Sequence, residues 1–310
     1  MTALVCGSVA YDNVMVFPGR FREHILPDRI HMLNVAFLVP SLRRNFGGCA
    51  GNIAYNLGLL GVPGLPMATV GRDFGAYADW MRATGVDASQ VRVIDDEYTA
   101  QAFITTDLDD NQITAFHPGA MNHSHLNRVS QVPGCTLGVV APDGRQGMVE
   151  HARQFAEAGI PMLFDPGQGL PMFDGPELLD FIDQAAWVAV NDYEGQLLCE
   201  RTGLTHREIA SRVRALVVTR GAEGSVIHAD GREYVIPAAR PDAVADPTGC
   251  GDAYRAGLVY GLQQGLDWET TGRVASLMGA IKVAHAGTQS HSFGLDEFRD
   301  RFRAAFGRAL

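Results

Sequence analysis

Apolar residues fall into short runs separated by longer amphipathic stretches. Leu4–Ser8 is an apolar run ending in Gly-Ser, and Ala68–Val70, Leu137–Ala141, Pro161–Phe164, Trp187–Asn191 and Leu216–Thr219 repeat the pattern. Runs this short, apolar at successive positions, predict strands buried on both faces. Between most of them the apolar spacing becomes helical. Gln146–Ala158 and Glu177–Ala186 read as helices, and Ala50–Leu60 as a helix stopped by Gly61. Val274, Leu277, Ile281 and Ala284 fall on one face of another. Strands alternating with helices predict an α/β fold, a mostly parallel sheet covered on both faces.

Two regions break this rhythm. Val14–Arg44 shows no helix and mixes Phe17, Ile25, Leu33, Phe37 and Leu38 with charges. Ala100–His117 reads as two strands, AFITTD and ITAFH, around the turn Leu108–Gln112, a hairpin signature. We expect both to form a small β lid, about 14–45 and 98–120, over one edge of the sheet. The rest reads as one domain over 1–310, without internal repeats or low-complexity linkers.

Charge then narrows the partners. The chain has 310 residues and a net charge of −10, which argues against a nucleic-acid partner, whose phosphates need a basic face. A small anionic ligand remains possible, since it needs only local donors. The N-terminus MTALVCGSVAYD has no basic flank and no apolar run long enough for a signal peptide or a membrane span. Five scattered cysteines show neither a disulfide framework nor zinc-ligand spacing, so a reducing cytoplasm is expected. Lys282 is the only lysine. No Gly-Lys-Ser/Thr loop exists and no early-strand lysine stands where a protein kinase needs one, so any ATP must bind by another device. No G-x-G-x-x-G follows the first strand, which disfavours a nicotinamide oxidoreductase.

The most specific chemistry lies in Asp246-Pro-Thr-Gly-Cys-Gly-Asp252, followed by the helix-like run Ala253–Gln263. Two glycines flank one small residue where a loop becomes a helix. The first amides of a helix have no internal partner, and glycines let an anion approach them. A carboxylate there repels phosphate, so Asp252 makes sense as a base that takes a proton from an attacking hydroxyl. The other candidates are weaker alone. Phe46–Asn52 contains Gly47 and Gly48 and reads by itself as a tight turn before a helix, although the Asn52 amide suits sugar hydroxyls. Asp12 follows the first strand and can accept from two ribose hydroxyls, or simply form a turn beside Asn13. Asn191 and Glu194 suit phosphate and water-held Mg²⁺, but read alone they are a helix cap, close to a capping box. Thr219, Gly221 and Gly224 suit nucleotide phosphates or a plain turn.

In this order the motifs resemble the ribokinase family of carbohydrate and nucleoside kinases: Gly47-Gly48…Asn52, Asn191…Glu194, Thr219-x-Gly221-x-x-Gly224-Ser225, then Asp246-x-Thr248-Gly249-Cys250-Gly251-Asp252. The resemblance covers nearly the whole chain. Phe21–Leu26 through Arg43-Arg44, with Asp165-Pro-Gly-Gln168, is most similar to bacterial adenosine and nucleoside kinases. It implies a ribokinase-like three-layer α/β/α fold with Asp252 as catalytic base and Gly249, Cys250 and Gly251 as the anion hole. Asp12, Gly47, Gly48 and Asn52 would grip the sugar, with Phe103, Phe116 and Gln168 around the substrate. Asn191, Thr219, Gly221, Gly224, His285 and Gly287 would line the ATP site, and Glu194 would hold Mg²⁺ through water. Asp246 and Thr248 match positions that bind K⁺ or another monovalent cation in some members. Cys250 stands where the family often has Ala, and Pro247 is unusual among its sugar kinases.

The expected activity is phosphorylation of the 5′-hydroxyl of a nucleoside by Mg-ATP, adenosine first, with inosine, guanosine and cytidine as alternatives. The apolar content of Val14–Arg44, with Phe103 and Phe116 opposite, favours a larger flat substrate, because a base stacks where a bare sugar does not. A ribose-type sugar kinase is the runner-up, and a nucleoside-binding sensor without turnover the rival of another class. Some relatives pair through their lids, so the expected state is a monomer or a homodimer.

Overall fold

The computed structural model describes residues 2–25, 35–109 and 111–310. Leu26, Leu33 and Asp110, which the expected lid and its turn include, lie outside them.

In chain order the elements are β1 (Thr2–Cys6), β2 (Ala10–Val16), α1 (Phe21–His24), β3 (Ser41–Gly47), α2 (Cys49–Leu59), β4 (Gly64–Gly71), α3 (Gly75–Ala83), β5 (Val91–Ile94), β6 (Ala100–Thr106), β7 (Gln112–His117), β8 (Cys135–Val140), α4 (Arg145–Glu157) and β9 (Met162–Phe164). They continue with α5 (Gly175–Gln184), β10 (Trp187–Asn191), α6 (Asp192–Thr202), α7 (His206–Arg212), β11 (Ala215–Thr219), β12 (Ser225–Ala229), β13 (Arg232–Ile236), α8 (Cys250–Gln264), α9 (Trp268–Val283) and α10 (Leu295–Phe306).

The large sheet runs β13-β12-β11-β10-β9-β8-β1-β4-β5. It is parallel from β5 to β11, and β12 and β13 complete one edge as an antiparallel hairpin. Alternate side chains feed two cores, which is why these strands read as continuous apolar runs. Leu4 and Cys6 pack with Met148, Phe155, Phe181 and Leu198 under α4–α6. Ala3 and Val5 point the other way, to Ile53 and Leu57 of α2 and Leu258 of α8. The expected layering and helices are present. The hairpin β12–β13 and the helices α3, α7 and α10 were not foreseen, and the short α1 stands in Val14–Arg44, where no helix was expected.

The second sheet, β3-β2-β6-β7, has four strands. It includes Ala10–Asn13 and reaches Gly47, beyond both ends of the expected span. Asp12 is therefore a mid-strand residue and not part of a turn. Tyr11 packs beside Phe46, its register partner in β3, and anchors this sheet against Tyr77 of α3. Among the described residues, no helix is long and apolar enough to cross a membrane.

Candidate active site

Two helices start at the carboxyl edge of the large sheet in contrasting ways. At α6, Asn191 accepts from the Glu194 amide at 2.7 Å, and the Glu194 carboxylate accepts from the Asn191 amide at 2.9 Å. This reciprocal cap closes the helix end. At α8, Gly249 stands at the N-cap with φ 78° and no capping side chain. Any other residue would be strained there, and its Cβ would meet Thr288 at 3.0 Å. Cys250 donates its amide back to Pro247 at 3.1 Å, so that amide is not free for an anion as expected. The amides of Gly251 and Asp252 have no partner among the described residues, and the positive end of a 15-residue helix stands behind them.

Asp252 lies in the first turn of α8. Asn52 of α2 donates to its Oδ2 at 2.7 Å, across 200 residues of sequence. Burial pushes the Asp252 pKa up to about 7; Asp165 adds to the rise, while Asn52, Arg255 and the Cys49 thiol oppose it. Arg255, three residues on, is buried and pairs with Asp165 at 3.1 Å, and its Nη2 lies 3.9 Å from Glu194. Its Nε and Nη1 have no hydrogen-bond partner among the described residues. Burial also raises the pKa of Glu194, as does Asp165. No three His, Cys, Asp or Glu side chains converge on a metal position among the described residues. The Glu194 carboxylate accepts a hydrogen bond only from the Asn191 amide among the described residues, which leaves oxygen sites for a water-borne Mg²⁺ carried by phosphates.

Asp12 faces this site from the small sheet, its carboxylate against the Cα of Gly47. Burial and the Asp246 carboxylate push its pKa up to about 6, and it accepts no hydrogen bond among the described residues. Gly48 caps the start of α2 at φ 84°. The sheet register separates the two phenylalanines. Asp12 pairs with Ala102 and Ala102 with Phe116, so Phe116 shares the Asp12 face. Phe103 pairs with Asn13 and Ala115 and points to the opposite face. The expectation that both line one substrate surface is corrected: alternation along the strands forbids it. Gln168 is exposed on the 3-10 segment Gly167–Met172 and makes no hydrogen bond among the described residues.

Thr219 ends β11 beside Asn191, its register partner. Gly221 and Gly224 bracket the turn that leads into β12. His285 folds onto the Ile281 carbonyl at 3.0 Å. Gly287 donates its amide to Asp246 Oδ2 at 2.8 Å, and Thr248 donates to Oδ1 at 2.9 Å. Partial burial pushes Asp246 up, but these two amides outweigh it and its pKa is lowered. The Asp246 carbonyl is taken by Lys282 Nζ at 2.8 Å. Each of its three oxygens thus already accepts from a protein donor, which argues against Asp246 as a monovalent-cation ligand.

Sequence reasoning missed the support behind Asn52. Trp80 Nε1 donates to Gln289 Oε1 at 2.9 Å, and Gln289 Nε2 donates to Asn52 Oδ1 at 2.9 Å. An indole only donates, so it fixes which end of the Gln289 amide faces Asn52. That in turn points the Asn52 NH₂ at Asp252. Tyr77 also accepts from Gln289 and donates to the Gly47 carbonyl at 2.8 Å. Its hydroxyl sits so close over Gly51 that no Cβ fits. Arg255 was within reach of pattern, since i and i+3 share a helix face. Gln289 was not, because nothing local links it to Asn52.

The comparisons decide the family. A model described as pfkB family carbohydrate kinase matches residues 9–293. The chain belongs to that family. This pfkB-family chain is 32% identical to the nucleoside kinase of Methanocaldococcus jannaschii over 263 residues, which cover 83% of this chain and 85% of the relative. It is similar to the structure of Burkholderia thailandensis nucleoside kinase in complex with inosine, with TM-score 0.91, 54% identity and 99% of each chain covered. The structure of the same Burkholderia kinase in complex with ADP-inosine matches with TM-score 0.88 and 56% identity, over 99% of this chain and 97% of that one.

Proposed function

We propose that this pfkB-family chain transfers the γ-phosphoryl group of ATP to the 5′-hydroxyl of a purine nucleoside. The observation that carries the reading is Asp252 held by Asn52 beside the open N-terminus of α8. Asp252 accepts the proton of the 5′-hydroxyl as that oxygen bonds to phosphorus, and the bond from the γ-phosphorus to the bridging oxygen breaks to leave ADP. The free amides of Gly251 and Asp252 hold the moving phosphoryl group where its charge spreads. Asp12, Gly48 and Asn52 grip the ribose, and the Phe116 face lies over the base. Asn191, Thr219 and the turn at Gly221–Gly224 flank the nucleotide phosphates. Mg²⁺, held through water at Glu194, neutralises the phosphate charge when bound. The small sheet serves as the lid that keeps water from the transfer. An ATP-consuming reaction of this kind belongs in the cytosol.

The inosine complex of the 54% identical relative supports a nucleoside over a bare sugar, and inosine and adenosine are the leading substrates. The test is ADP release from Mg-ATP in the presence of adenosine, inosine, guanosine, cytidine, ribose or fructose 6-phosphate. Turnover with the purine nucleosides is expected; turnover with ribose alone overturns the reading.

A further inference from the structure

Lys282, the single lysine of the chain, has no exposed surface. It lies in the last turn of α9, and its Nζ donates to the main-chain carbonyls of Asp246 at 2.8 Å and His285 at 3.0 Å. Lysine is almost never fully buried without partners, because its charge must be compensated. Here no carboxylate lies within salt-bridge distance among the described residues, and the partners are main-chain oxygens at the negative end of a helix.

The same oxygens belong to the segment that supports the phosphate loop. The amides of Ala245 and Asp246 both donate to the Val283 carbonyl, at 2.8 and 3.1 Å, and the Gly287 amide reaches the Asp246 carboxylate. Segments 245–248 and 283–287 are thus drawn together around one ammonium group, immediately before the anion-binding turn at Gly249. An alkali cation in that place would need the oxygens that Lys282 already occupies, since such ions are held by rings of carbonyls.

We propose that the Lys282 ammonium takes the place of a monovalent metal ion in this kinase, holding the Asp246–Gly249 loop in its anion-binding shape. Lys282 is a positioning residue; it acts on the phosphate through the loop. The inference deepens the phosphotransfer reading, and its test keeps the two separable.

The wild-type protein is compared in potassium chloride and in tetramethylammonium chloride at equal ionic strength, by Tm and by calorimetric ADP affinity. Both are expected to be the same in the two salts. Lys282→Ala is expected to bind ADP more weakly in tetramethylammonium, and to regain affinity and Tm saturably when potassium or methylammonium is added. Its turnover in tetramethylammonium should fall about 10²-fold, the scale for losing one fixed element of an anion site. A wild-type Tm or ADP affinity that rises saturably with potassium overturns the proposal, and this arm needs no variant to fold. Lys282→Ala with wild-type ADP affinity in both salts overturns it as well. Because Tm and ADP binding are read without an acceptor, they decide the role of Lys282 even if every nucleoside fails as substrate and the proposed function falls.

Discussion

Asp252 and Asp12 approach the same space, one from a helix start and one from a strand, and their settings are opposite in kind. Burial pushes both carboxyls up, to about 7 and about 6, and each feels a second carboxylate, Asp165 or Asp246. Asp252 stands on a helix, fixed by Asn52 and balanced by the buried Arg255. Asp12 stands on a strand of the small sheet with no donor among the described residues. One carboxylate is aimed before anything binds, as the proposed base must be. The other is left wanting hydrogen bonds, which arriving hydroxyls can supply.

Breaking the aimed carboxylate has the largest expected effect. Asp252→Asn lowers kcat by ~10²–10⁴-fold with little change in nucleoside KM; near-normal turnover would remove Asp252 from the reaction. Only the ionised form accepts a proton, so wild-type kcat/KM falls as pH drops through about 7. Asp12→Asn is expected to act on binding instead. Nucleoside KM rises ~10–100-fold, the worth of one or two charge-assisted hydrogen bonds, while kcat stays within a few-fold. A loss in kcat at constant KM would erase the distinction between the two carboxylates. Gln289→Leu is the mildest change. It frees Asn52 without touching Asp252, and kcat drops about 3–10-fold. The Asn52 hydrogen bond lowers the Asp252 pKa, so loosening it moves the acid limb of the pH profile to higher pH. An unmoved limb in that variant would mean that Gln289 only packs.

The same contrast marks what could be read in one dimension. The Asp246–Asp252 segment announced itself because its chemistry is local: glycines, a helix start and an acid within seven residues. The buried strands were readable because both faces of the sheet are covered, leaving unbroken apolar runs. The small sheet was harder. Asp12 and Asn13 looked like turn formers, yet β2 extends through them because they pair with Asn45 and Arg44 of β3 while Tyr11 is anchored on Tyr77. Phe103 and Phe116 both looked available for stacking until pairing in the hairpin put them on opposite faces. The support behind the base was out of reach, since Gln289 meets Asn52 across 237 positions. The expected anion hole loses one amide, because the turn that shapes it consumes that of Cys250.

The bond from Asn52 to Asp252 and the bond from Gln289 to Asn52 tie the first sixth of the polypeptide to its last fifth. During synthesis Asp252 is therefore joined to the chain before Gln289, the residue that completes the amide chain aiming it, has been added. Nascent or clipped molecules ending before Gln289 would own every residue of the glycine motif and still lack its bearing. Turnover in this protein is thus expected late in maturation, once the segments around Asn52 and Gln289 have met.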